Sequence, residues 1–142
     1  MNTSILLKIS TILWVIWGLV HLFAGVVVMS SETTMAVQAI ADGTDKNSLI
    51  SNYPAAAGAI INQHGWNLAW FGVATIIGGI FIWSGNATAI FVTALIGGLA
   101  DLGYFIFLDL GGYVNFVPGT IMTLVSSFAI VLSFLAYYRN RR

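Results

Sequence analysis

The sequence predicts an all-α polytopic membrane protein, an up-down bundle of four transmembrane helices. Three observations predict it. Only 7% of the 142 residues are charged and 58% are hydrophobic, with a mean hydropathy of +0.92. Soluble domains carry about 25% charged residues, so five acids and five bases cannot solvate a globule of this size. Four apolar stretches are each long enough for the roughly 20 helical residues that cross about 30 Å of hydrocarbon. In lipid every backbone polar group must be satisfied within its own segment, which selects helices, and no alternating pattern of barrel strands is present.

The spans are expected at about 5–29, 55–83, 88–110 and 116–138 in one domain covering 1–142. Within the first, the apolar run from Ile12 to Met29 is longer than a signal-peptide core and only Lys8 precedes it, so it is expected to remain as a span. Residues 30–54 form the only sizeable polar loop. Within it Ser30 or Ser31 can cap a short helix with Glu32 in its first turn. Met35, Val37, Ile40 and Ala41 make that helix amphipathic enough to lie on the membrane surface, and Asp42-Gly43 ends it. Pro54 suits the first turn of the second span. The links Ser84-Gly85-Asn86 and Gly111-Gly112-Tyr113 are short and make sequential neighbours antiparallel.

Lys8 and Arg139, Arg141 and Arg142 lie at the two termini, while Glu32, Asp42, Asp45 and Asp109 face Lys46 alone on the opposite side. The positive-inside rule then places both termini in the cytoplasm of a multi-pass protein of the bacterial inner (plasma) membrane. Tyr137 and Tyr138 suit the inner aromatic belt, Tyr53 and Tyr113 the outer one. The glycosylation-like Asn86-Ala87-Thr88 falls on the cytoplasmic side. Asp109 beside Gly111-Gly112 reads as a solvated helix end.

At about 1.5 Å per residue, His21 lies about 12 Å inside the outer end of its span, and His64 and Asp101 about 14 Å inside theirs. Three ionisable residues from three helices thus share a level. Trp14, Gly18, His21 and Gly25 form one stripe, and Gly97, Gly98, Asp101 and Tyr104 another. Thr120, Thr123 and Ser127 form a hydroxyl stripe on the fourth span. On the second, Gln63, His64 and Asn67 occupy an arc of about 100°, expected to face the interior. Gly58, Gly65, Ala69, Gly72 and Gly79 form a separate small-residue stripe that packs closely on another helix, in this chain or in a second copy. Trp66 and Trp70, one turn apart, read as packing residues.

The candidate site is therefore a buried polar cluster of His21, Gln63, His64, Asn67, Asp101, Tyr104 and Thr123. A charged side chain at mid-bilayer costs about 2.5–3.5 kcal/mol on insertion scales, so Asp101 should be paired or protonated. A hydrogen bond to a histidine or to Tyr104 that locks the bundle would satisfy it. Alternatively the cluster fixes the head of a small apolar or lipid-like ligand, as a binding or accessory protein would. It also suits acid–base chemistry in a membrane oxidoreductase or isomerase acting on a lipid-soluble substrate such as a quinone, or a small proton-linked transporter. Two histidines and a carboxylate are also a ligand set, but nothing in their spacing fixes a metal, and no metal or cofactor is expected. The absence of cysteine excludes thiol chemistry. Expected partners are membrane lipid, a small apolar ligand and a homo-oligomeric copy, with no nucleic acid.

The Gly18-Leu19-Val20-His21 stretch, the polar entry into a Gly-rich span from His64 to Gly72, and the run from Gly97-Gly98-Leu99-Ala100-Asp101 to Asp109-Leu110-Gly111-Gly112 together resemble small bacterial four-span proteins of the DoxX-like type. The resemblance covers most of the chain. It implies a membrane bundle, with redox or quinone-linked function in some members, and carries over no residue-level motif.

Overall fold

The computed structural model describes residues 2–40 and 52–140. The expected helix stop at Asp42-Gly43 lies outside them, as do Ala41, Asp45, Lys46, Arg141 and Arg142. The protein is all-helical, with α1 (Thr3–Met29), α2 (Thr33–Ile40), α3 (Ala55–Trp83), α4 (Ala87–Tyr104) and α5 (Ile121–Arg139). Among the described residues, four helices are long and apolar enough to cross a membrane: α1, α3, α5, and α4 with its continuation to Asp109.

The ends follow from local chemistry. Asn2 caps α1 by accepting the Ser4 N–H at 3.1 Å, and Asn86 caps α4 by accepting that of Ala89 at 3.0 Å. Gly85, at φ +80°, turns the chain between α3 and α4 in a conformation that a side chain would strain. Beyond Tyr104 the helix widens into a π turn over Phe105–Asp109. The fourth span departs from expectation at its start. Val117 is extended (φ −111°, ψ 130°), because the residue before Pro118 is pushed out of the α region, and regular helix begins only at Ile121.

α1 and α3 form the closest pair. A Cβ on Gly18 would lie 2.6 Å from the Gly72 carbonyl oxygen, and one on Gly72 would lie 2.6 Å from the Leu22 nitrogen. Farther along, Gly25 meets Gly65 and Ala69, and the Thr11 hydroxyl donates to the Gly79 carbonyl at 2.9 Å. The pairs 11–79, 18–72 and 25–65 run in opposite senses, so the helices are antiparallel. The small-residue stripe of α3 is thus used within the chain. Antiparallel contacts also join α4 to α5, where Asp101 meets Ser126 and Phe91 meets Phe134. Trp14 and Trp17 of α1 are fully buried and reach α4, Trp14 against Gly97 and Trp17 against Asp101.

The distribution of polarity inverts that of a soluble protein. Ser10, Thr11, Thr75, Thr93, Asp101, Ser126 and Ser133 are buried, while Leu19, Phe23, Ile80, Leu95, Leu99, Phe107 and Phe128 point outward and are more than half exposed. Two features of the polar loop differ from expectation. Ser30 and Ser31 do not cap α2. Their hydroxyls bond back to the Val26 and Val27 carbonyls at 2.8 and 2.7 Å, completing the end of α1. Nor does α2 lie flat across the bundle end. It doubles back along α1, so that Ala39 and Ile40 stand at the level of Val20 and His21.

Candidate functional site

Asp101 is the centre of the polar interior, with 4% of its surface exposed. The indole Nε1–H of Trp17 donates to its Oδ2 at 2.7 Å, and the Ser126 hydroxyl donates to the same oxygen. One carboxylate oxygen is thereby held by donors from α1 and α5, and its helix α4 is fixed between them. The indole is where it is because Gly97, one turn earlier on α4, leaves space for the neighbouring Trp14 ring.

The second oxygen, Oδ1, faces His21 Nε2 at 3.8 Å. The His21 ring is set by two contacts one turn back along α1. Its Nδ1 lies 2.9 Å from the Trp17 carbonyl, and the ring stacks on the Trp17 indole with centroids 3.5 Å apart and planes 16° from parallel. A carbonyl only accepts, so Nδ1 carries a hydrogen and Nε2 is the nitrogen turned to the carboxylate. Trp17 therefore positions both groups, one through its N–H and the other through its ring and carbonyl.

A cavity of about 90 Å³ opens in front of this pair, lined by His21, His64, Asp101 and Tyr104 with Leu68 and Met122, and closed on one side by Ala39 and Ile40 of α2. Gly119 lets the Tyr104 phenol approach, since a Cβ there would overlap its oxygen. Val20, Ala24 and Ala39 also line a second space, a groove of about 720 Å³ between α1 and α2 whose walls include Leu19, Phe23, Val27 and Met35. A small polar cavity and a wide apolar trough thus lie side by side, with three lining residues in common.

Of the seven residues singled out in the sequence, His21, His64, Asp101 and Tyr104 line this cavity. The other three do not. Gln63 is exposed, and Asn67 is half-buried with its Oδ1 accepting the Trp70 indole N–H at 3.2 Å. The reason is phase. At about 100° per residue, the arc of Gln63, His64 and Asn67 lies roughly opposite the stripe of Gly65, Ala69 and Gly72 that meets α1. The polar arc thus faces away from the bundle interior, and only its edge, His64, reaches the cavity rim, itself exposed. Thr123 lies on the far side of Asp101, in a separate cleft of about 310 Å³ between α4 and α5 that Ser126 and Ser127 also line.

Two residues essential to the geometry escaped the sequence reading. Trp17 had a signal, its place one turn before His21. Ser126 had only a weak one, because adjacent Ser126 and Ser127 are indistinguishable until the phase of α5 is known. Asp109 is not simply a solvated helix end either: it accepts the Thr120 hydroxyl at 2.5 Å, and its other oxygen is buried. No family model, curated protein or solved structure matches the chain.

Proposed function

We propose that the chain is an up-down four-span bundle of the bacterial inner membrane, DoxX-like in layout, that binds a small amphiphilic molecule. The polar end of the ligand sits in the cavity before His21 and Asp101, and its apolar part lies in the trough between α1 and α2. The observation that carries this reading is that Val20, Ala24 and Ala39 line both the polar cavity and the apolar trough. The volume also argues for a partial guest: drug-sized pockets measure about 300–1,000 Å³, so the 90 Å³ cavity holds a head of a few atoms and leaves the rest of the molecule in the trough.

A Phe at Ala24 fills the junction without touching Asp101, Trp17 or Ser126. In purified Ala24→Phe protein, native mass spectrometry is expected to show loss of a co-purifying amphiphile that the parent chain retains, with the melting temperature within a few degrees of the parent's. Retention of the same ligand by the variant would remove the support for this binding mode.

A further inference from the structure

The polar end of the cavity also restricts the chemistry of its guest. Asp101 has committed Oδ2 to the Trp17 and Ser126 donors and turns Oδ1 toward His21 Nε2 across 3.8 Å. The nitrogen's partner on the ring, Nδ1, is spoken for by the Trp17 carbonyl. Two acceptor atoms therefore face one another, with at most one proton to share between them. Among the described residues, no lysine or arginine lines the cavity.

We propose that the site recognises an uncharged amphiphile with a terminal hydroxyl, an alcohol or a phenol, and discriminates against phosphate and ammonium heads. The proposal rests on the amphiphile reading above and specifies its head. A hydroxyl oxygen at about 2.8 Å, the usual hydrogen-bond length, can reach both Nε2 and Oδ1. With one proton on the pair, the hydroxyl donates to the atom that lacks it and accepts from the atom that holds it, so a single O–H satisfies both. A phosphodiester brings only acceptors and negative charge to a carboxylate and an imidazole lone pair, and it exceeds the small volume. An ammonium group brings only donors, so it offers no acceptor to the proton that the pair holds.

The test is a calorimetric titration of the full chain, in micelles free of hydroxyl groups, with four probes that share one alkyl chain: 1-dodecanol, methyl dodecyl ether, dodecyl phosphate and dodecylamine. The expected result is that dodecanol binds about tenfold or more tightly than each of the others, the worth of one good hydrogen bond. His21→Phe, which keeps a ring to stack on Trp17, should bind the ether as the parent does and lose the preference for the alcohol. Equal affinity for all four probes, or tightest binding of the phosphate or amine, overturns the hydroxyl assignment and leaves the amphiphile reading standing. Binding of none overturns both. An alcohol preference that persists in His21→Phe also overturns the assignment, and if that variant does not fold, the four-probe series on the parent chain decides alone.

Discussion

At the scale of single residues, Trp17 carries more of the site than either group it serves. Its N–H satisfies a buried carboxylate, and its ring and carbonyl fix the imidazole that faces it. Trp17→Phe keeps an aromatic ring and deletes the donor, leaving Ser126 to hold Oδ2. A lost hydrogen bond to a charged group and the trimmed core volume together are expected to destabilise the chain by about 3 kcal/mol. Unfolding of Trp17→Phe, Asp101→Ala and the double variant in micelles should give a coupling of at least about 1 kcal/mol. Additive effects would show that the indole and the carboxylate do not act together. The level shared by His21, His64 and Asp101 was legible in the sequence because depth follows from counting along a helix. The side to which each points was legible only where a glycine stripe fixed the phase, as at Gly97 beside Asp101.

For the elements, the lesson lies in α3, whose polar arc and glycine stripe both had to be placed. The sequence separates the two faces, but not which faces inward, since an arc of amides reads as an interior network as easily as a wetted surface. The structure decides for the glycines. A length argument agrees with it: 29 residues extend about 44 Å at 1.5 Å each, well beyond about 30 Å of hydrocarbon. The turns carrying Gln63 therefore have room to stand at the membrane interface, where an exposed amide is hydrated. The closeness of α1 and α3 sets a sharp contrast among glycines. Gly18→Val puts side-chain atoms where the Gly72 carbonyl and Thr75 hydroxyl already lie, and is expected to lower stability by at least about 3 kcal/mol. Gly103→Ala meets nothing within 4 Å and replaces a helical glycine, so it should be neutral or stabilising by about 0.5–1 kcal/mol. Equal melting temperatures for the two variants would refute the close approach of the helices. The start of α5 and the fold-back of α2 were less legible. The first depends on how the chain responds to Pro118, and the second on contacts that α2 makes only after the bundle forms.

On the scale of the whole molecule, Lys8 and Arg139 sit at one end and Glu32 and Asp109 at the other, and by the positive-inside rule we propose that the end carrying Lys8 and Arg139 is cytoplasmic. The Lys8 ammonium, 5.3 Å from the centre of the Trp83 ring, also pins the start of α1 to the end of α3. The chain contains no cysteine, so orientation can be read with single substitutions. In intact cells an impermeant maleimide should label Glu32→Cys, while Ser4→Cys, Ser84→Cys and Asn140→Cys should react only after permeabilisation. The reverse pattern would invert the proposed topology.

The bonds to Asp101 also bear on the order in which the protein is made. On the proposed membrane placement, α4 is the one long span with a buried acid near its middle, and it reaches the bilayer before α5, which carries Ser126. Its first donor, the Trp17 indole, is by then already in the bilayer on α1, held against α3 by their glycine contacts. The first two spans thus form a receptor for the third, and α5 closes a carboxylate that already has one partner. Biogenesis of this bundle depends on α1 at a moment when α5 has yet to enter the bilayer.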